Sequence, residues 1–322
     1  MYKIKQIPED FIVNEIMKLP KSKGDFSYFL LSKKNKSTFD AVEFIALKFN
    51  MPKKKISFSG LKDKNAFTSQ YVSIFSLDRS YNRNFDFGEI KLTFIGSFDK
   101  PIYLGQHLRN EFIITVRNLD KKYKKISFIE NYFDEQRFSK HNIEIGRAIL
   151  HKNFSLACKT LGYSNVKDPI SFLRDKYGKN LRFFINSYQS YLFNLVLCEM
   201  LKAKKDCRVF NFGNLSFIFC SKKGNNIKIP LINFDSKIKA GTLSKVYDNV
   251  LIKENIKKED FLIRQIPELV SAGTTRDSIA EVKWKSLKYL EDELNKDKIK
   301  AVLCFSLPKG SFATIVVKKM FT

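Results

Sequence analysis

An α+β fold follows from three observations on the sequence. The first 120 residues or so are short apolar or alternating runs with turn residues between them, the hydrophobic spacing shifts toward the helical period from about Ile126, and the final residues return to strand-like alternation. Strands at both ends with helices between them predict that the C-terminal strands rejoin the N-terminal sheet. The expected division is a sheet domain of residues 1–127 plus 288–322, split by a largely helical α+β insertion of residues 128–287.

In chain order, strands are expected over Asp10 to Ile16, Ser27 to Leu31, Lys55 to Phe58, Gln70 to Phe75, Ile90 to Gly96 and Phe112 to Val116. One helix interrupts them. Ser37-Thr38 offers an N-cap, Asp40 suits the first turn, Ala41, Phe44, Ile45 and Leu47 supply the apolar face, and Met51-Pro52 stops it. Helices are then expected over Ile143 to Leu161, Asp168 to Tyr177 and Phe183 to Lys205, where Phe184, Tyr188, Tyr191, Leu192, Leu195 and Met200 recur at helical spacing as a core stripe. A short strand over Leu215 to Cys220 follows. Helices are expected again over Glu259 to Val270 and Thr275 to Leu294, and strands over Ala301 to Leu307 and Phe312 to Val317.

The chain has 322 residues, enough for one large domain or two ordinary ones, and 44% apolar content argues against disorder. With 31 Phe and 13 Tyr, most rings belong in the core, leaving a minority to stack on bases. The formal net charge of +25 points to a polyanionic partner: RNA, DNA or an anionic membrane. The excess is spread through Lys33-Lys34, Lys53-Lys54-Lys55, Lys121 to Lys125, Lys204-Lys205, Lys257-Lys258 and Lys318-Lys319.

No run approaches the ~18 apolar residues of a membrane span, and the first residues lack the apolar core of a signal peptide, so a cytoplasmic protein is expected. The five cysteines, with no C-x-x-C pair, are expected to be reduced structural thiols, and His107, His141 and His151 complete no zinc pattern. Neither a G-x-x-x-x-G-K-[ST] loop nor a G-x-G-x-x-G turn is present. No metal or cofactor is therefore expected.

The most informative stretch is Gly60-Leu61-Lys62-Asp63-Lys64-Asn65-Ala66-Phe67-Thr68-Ser69-Gln70. It places one acidic side chain between two lysines at a strand-to-strand junction, where rigid elements can hold a reactive group. On spacing alone such a turn is usually a solvated loop. Together with Pro8-Glu9-Asp10-Phe11-Ile12-Val13, Arg109-Asn110-Glu111-Phe112, Asn131-Tyr132-Phe133-Asp134-Glu135-Gln136-Arg137-Phe138 and Pro308-Lys309-Gly310-Ser311-Phe312-Ala313-Thr314, it resembles the ordered motifs of the TruD family of pseudouridine synthases. The resemblance runs almost the full length.

The resemblance implies a mixed, mainly antiparallel sheet of the pseudouridine-synthase type, split by a TRUD-type domain. It implies isomerisation of uridine to pseudouridine at position 13 in the D arm of a subset of tRNAs, by a monomer without cofactor. Asp63 matches the family's essential aspartate, Lys5 the basic residue that pairs with it, and Phe112 the ring that packs on the uracil. Asn110 matches a polar residue at the substrate, and Phe11 and Phe312 match pocket aromatics from the two chain ends. Asp134 and Ser139 stand where the family has glycines, which puts that turn in question. Ala272-Gly273-Thr274-Thr275-Arg276 is a degraded motif match, carrying one Arg of a usual pair. The competing class is a non-catalytic RNA-binding or RNA-chaperone protein built on the same charge and aromatics.

Overall fold

Residues 2–62, 66–139, 141–269 and 273–322 are described in a computed structural model of the chain. The elements run β1 (Phe11–Ile16), β2 (Phe26–Lys34), α1 (Thr38–Lys48), β3 (Ile56–Phe58), β4 (Phe67–Phe75), β5 (Phe85–Asp86), β6 (Ile90–Phe98) and β7 (Arg109–Leu119). Next come β8 (Phe128–Glu130), α2 (Glu135–Phe138), α3 (Asn142–Leu150), α4 (Phe154–Thr160), α5 (Pro169–Tyr177), α6 (Leu181–Lys202), β9 (Cys207–Phe212), β10 (Leu215–Cys220), β11 (Lys228–Leu231) and α7 (Thr242–Lys253). The chain closes with β12 (Thr274–Asp277), β13 (Ile279–Glu281), β14 (Lys283–Glu291), β15 (Ile299–Pro308) and α8 (Ala313–Met320). These elements group into two units, one of Met1–Ser127, Glu281–Ala313 and Phe321, the other of Phe128–Ala280, Thr314–Met320 and Thr322.

The first unit is built on one sheet in the order β14-β15-β7-β1-β4-β2-β6-β5, with β3 also paired to β4. Every pairing is antiparallel except β1 with β4. An α+β protein with a mainly antiparallel mixed sheet is thus what the sequence folds into. α1 starts with a reciprocal cap: Ser37 Oγ accepts from Asp40 N, and Asp40 Oδ2 accepts from Ser37 N. Its apolar face, Ala41, Val42, Ile45 and Ala46, packs with Phe29, Leu31, Val72, Ile74 and Leu92 of β2, β4 and β6. At about 1.5–3 kcal/mol for each large apolar side chain fully buried, this cluster is a main support of the sheet.

The second unit is organised on α6, whose Phe184, Tyr188, Leu192, Phe193, Val196 and Leu197 are buried. α3 crosses it closely at Gly146, where an added Cβ would meet the Phe184 carbonyl oxygen at 2.3 Å. Only a glycine permits that approach.

Several expectations are corrected. In the segment expected as a helix over Glu259 to Val270, the described residues, through 269, carry 3₁₀ turns at Lys258–Phe261 and Pro267–Leu269 in place of an α-helix. Pro267 interrupts the segment, and Phe261, Ile263, Ile266 and Leu269 are buried without helical turns to align them. The helix expected over Thr275 to Leu294 is instead strand, in β12, β13 and β14. In β14, Lys283, Lys285 and Lys288 are exposed while Trp284, Ser286, Leu287 and Tyr289 are half-buried, a strand alternation shifted by a bulge between Trp284 and Ser286. Such lysines suit an edge strand, because they discourage pairing with another chain.

The strand expected over Phe312 to Val317 is mostly α8. Ile315, Val316 and Val317 are fully buried there, so packing overrides their β propensity. The expectation of reduced thiols also fails for one pair. Cys207 and Cys220 face each other across β9 and β10 and form a disulfide, while Cys158, Cys198 and Cys304 are free.

Candidate active site

Two pairings place three of the six expected site residues, Phe11, Asn110 and Phe112, on one face of the first unit's sheet. β1 pairs with β7 so that Val13 lies opposite Phe112 and Glu15 opposite Asn110, and β15 pairs with β7 so that Phe305 lies opposite Phe112 and Leu307 opposite Asn110. Side chains directly opposite share a face, and alternate residues along a strand share it too. Phe11, Val13, Glu15, Asn110, Phe112, Phe305 and Leu307 therefore stand together. Ring centroids of Phe112 lie 6.4 Å from Phe11 and 5.7 Å from Phe305.

Lys5 reaches the same place from the chain start. Its backbone has φ 56°, an uncommon conformation for a lysine, and its Nζ lies 4.3 Å from the Phe11 ring centroid. The segment is clamped on both sides of it. Lys3 and Arg117 exchange backbone hydrogen bonds at 2.9 and 2.8 Å, and Asp10 Oδ2 accepts from the amides of Gln6 and Ile7.

Asp63 lies outside the described residues, as do Lys64 and Asn65. The chain leading to it is held tightly. Ser59 O accepts from Gly105 N at 2.6 Å, Gly60 O accepts from Gln70 Nε2 at 3.3 Å, and Lys62 N donates to Thr38 Oγ1 at 3.0 Å. The Lys62 ammonium donates to Glu15 Oε1 at 2.8 Å, with 7% of its side chain exposed and none of that of Glu15. His107 Nδ1 is 3.6 Å from the same oxygen. Burial, then the nearby Lys62 charge, depresses the His107 pKa despite Glu15, so its neutral form is favoured.

Of the residues expected at the site, Lys5, Phe11 and Phe112 are joined by direct ring and cation contacts, and Asn110 by strand register. The Asn110 Oδ1 atom is buried and accepts no hydrogen bond among the described residues. Phe312 is half-buried in the turn between β15 and α8. Arg109 has a structural role, donating from Nε to Ser306 Oγ and from a terminal nitrogen to Ser306 O. Arg137 serves its own unit, donating to Ser190 Oγ on α6. Arg276 does the same, donating to the backbone and side-chain oxygens of Asn131, and burial lowers its pKa to about 9.

Sequence reasoning overlooked Glu15, Thr38, Gln70 and the inward direction of Lys62. The available signal was an acidic residue on the buried face of the Phe11, Val13, Glu15 alternation, a position that requires a partner. Nor do the lysine clusters all serve the surface. Lys33 is fully buried and donates to Lys36 O, Lys318 donates to the buried Asp134, and Lys319 to the buried Glu130.

Among the described residues one group, Asp206, Cys207 and Cys220, brings metal-ligand atoms together. Its two sulfurs are joined to each other, so it offers one carboxylate and no ligand set. No helix of the described residues is long and apolar enough to cross a membrane.

The sequence model of the family "tRNA pseudouridine synthase D (TruD)" matches residues 2–169 and 167–320. The chain is 31% identical to tRNA pseudouridine synthase D of Aquifex aeolicus, over 99% of this chain and 98% of that protein. It is 30% identical to the probable tRNA pseudouridine synthase D 1 of Methanococcus maripaludis, over 99% of each. The crystal structure of the TruD protein of Methanosarcina mazei superposes with a TM-score of 0.70 at 26% identity, covering 98% of this chain and 92% of that one. With matches that run from end to end and a fold shared with a solved relative, the chain belongs to the TruD family.

Proposed function

We propose that the protein converts uridine to pseudouridine in tRNA, at position 13 of the D arm in a subset of tRNAs, with Asp63 as the reacting carboxylate. The observation that carries the reading is the family match over nearly every residue, joined to a buried face that gathers Lys5, Phe11, Asn110 and Phe112 in the unit whose chain leads into Asp63. In this reading residues 1–127 and 288–322 form the catalytic domain and residues 128–287 the TRUD-type insertion.

The reaction breaks the N1–C1′ bond, turns the uracil and joins C5 to C1′. The electron pair of the broken bond stays on the base, C5 supplies the pair for the new bond, and the proton lost from C5 is balanced by one gained at N1. Nothing is oxidised or reduced, so the step requires no cofactor. An aspartate, with a pKa of about 3.9 when unperturbed, is ionised near neutrality. It can attack C1′ or remove the C2′ proton. The Lys5 ammonium would hold that carboxylate charged and oriented. The uridine must leave its stack, and Phe11, Phe112 and Phe312 would supply the apolar walls that receive it, with Asn110 hydrogen-bonding the base or ribose.

The net charge of +25 supports binding of the tRNA backbone. A monomer acting in the cytoplasm completes the proposal. The test incubates wild-type and Asp63→Ala protein with unmodified tRNA transcripts, without metal or cofactor, and maps pseudouridine by carbodiimide-dependent reverse-transcriptase stops. A D-arm stop with wild type alone is expected. Tight tRNA binding with no stop on a complete tRNA set would favour a non-catalytic RNA-binding protein instead.

A further inference from the structure

We infer that Glu15 is a positioning residue for Asp63: its buried carboxylate captures the Lys62 ammonium and so fixes the chain one residue before Asp63. The inference rests on the reading of Asp63 as the reacting group.

In a chain with 58 Lys and Arg, a lysine beside the reacting carboxylate would serve simply as a phosphate contact if it faced solvent. Lys62 does not. Its Nζ lies 2.8 Å from Glu15 Oε1, and Glu15 is itself anchored, since its Oε2 accepts from Tyr71 N at 3.1 Å in β4. The carboxylate thus ties Lys62 to β4, which follows residues 63–65 in the chain. The Glu15 bonds therefore hold the chain both before residues 63–65 and after them.

Two further attachments fix the Lys62 backbone. Its amide donates to Thr38 Oγ1, and the Thr38 hydroxyl donates in turn to Gln70 Oε1 at 3.1 Å, while Gln70 Nε2 donates to Gly60 O. The Thr38 hydroxyl accepts one bond and donates another, and none of these groups is charged. Gly60 packs beside this group: a Cβ there would be tight against His107 Cε1 at 3.3 Å and in ordinary contact with Lys62 Nζ at 3.6 Å. The arrangement turns one lysine of the K-D-K run inward. Its charge is neutralised by Glu15, so it does not compete with Lys5 or with the substrate for the Asp63 carboxylate.

Single-turnover rate and tRNA dissociation constant are to be measured for Glu15→Gln, Lys62→Met, the double variant and Thr38→Val, with circular-dichroism melts of each. A misplacement of the order of 1 Å costs a reacting group about 10²-fold, so each charge variant should lose about 10²-fold in rate with tRNA affinity within about threefold of wild type. The double variant should recover part of the loss, because neither charge is then left buried alone. Thr38→Val keeps the ion pair and should lose about 10-fold, a readout that remains if a charge variant fails to fold. Lys62→Met with normal rate, weakened binding and a salt dependence reduced by about one phosphate contact would make Lys62 an RNA ligand and overturn the inference. A fully active Glu15→Gln beside an inactive Asp63→Ala overturns the positioning role alone. An active Asp63→Ala overturns the reading of Asp63, and the positioning role with it.

Discussion

The Arg117 guanidinium meets Asp10 from Nε at 3.0 Å to both carboxylate oxygens, and its other nitrogens reach Asp292 at 2.9 Å and Glu293 at 3.2 Å. Asp10 in turn holds the amides of Gln6 and Ile7, so one arginine on β7 orders the segment that carries Lys5. Burial opposes the charges of this group, yet its hydrogen bonds prevail. They hold Arg117 above its usual pKa and, with the amides of Asn118 and Leu294 and the side chain of Asn295, keep Asp292 at about 2.

Arg117→Met leaves the carboxylates of Asp10 and Asp292 buried without their cation. Breaking a buried pair from one side costs about 3–5 kcal/mol, and that loss is expected in urea unfolding. Arg117→Lys should recover only part of it, because one ammonium cannot span Asp10 and Asp292 with the guanidinium's geometry. A loss under about 1 kcal/mol for Arg117→Met would refute the role given to this cluster.

A second prediction concerns pH. His107 faces Lys62, Glu15 and Lys309, and burial followed by Lys62 sets its folded pKa below the ordinary 6.5. The unfolded chain therefore binds more protons in the window beneath 6.5. The stability from neutral His107 is complete above that pH and is lost as pH falls toward the folded pKa. Melting temperatures should thus fall between pH 7.5 and 5.5 by more in wild type than in His107→Gln. Parallel falls in the two proteins would count against it.

Ser139 carries a backbone strain that a glycine would relieve. It caps α2 at φ 49° and ψ −170°, a region essentially reserved for glycine, and costs of order 1–3 kcal/mol are usual there. Glycine gives some of this back through a more flexible unfolded chain, so Ser139→Gly should stabilise the protein by about 1 kcal/mol, read from denaturant midpoints. Destabilisation would mean that the Ser139 side chain does more than tolerate the turn.

The disulfide gives a direct chemical count. Protein purified without reductant and then denatured should show three reactive thiols, from Cys158, Cys198 and Cys304, and five after reduction. Cys207 and Cys220 are 13 residues apart, and closing a loop of about that size stabilises a chain by about 3 kcal/mol in the entropic account. Cys207→Ser should lower stability by up to that amount under non-reducing conditions. Five thiols before reduction would show that the pair is not oxidised in the isolated protein, as a reducing compartment would also favour.

What the sequence made legible was whatever depends on local pattern. The Ser37 and Asp40 cap, the strands β1 to β4, β6 and β7 and the helical stripe through Tyr188 and Leu192 are all set by neighbours within a few positions. Three features depended on distant partners and were not legible. Phe312 to Val317 read as strand because the branched side chains of Thr314 to Val317 favour it, and helix α8 exists because packing buries Ile315, Val316 and Val317 completely. Cys207 and Cys220 meet only through the register of β9 and β10. Lys62 read only as one of two lysines flanking Asp63, because its partner Glu15 is 47 residues away.

Asn110 offers the clearest separation of function from stability. Its Oδ1 is buried between the Glu15 and Leu307 positions and receives no hydrogen bond from the described residues. An unsatisfied buried oxygen costs the folded state about 1–3 kcal/mol, a cost that a substrate donor would cancel on binding. Replacing the amide with an apolar side chain of similar size removes the cost and the recognition together. Asn110→Leu should therefore melt at the wild-type temperature or above, while its single-turnover rate on tRNA falls about 10²-fold. Loss of stability with activity retained would show instead that Asn110 serves the sheet and that the uracil or ribose is recognised elsewhere.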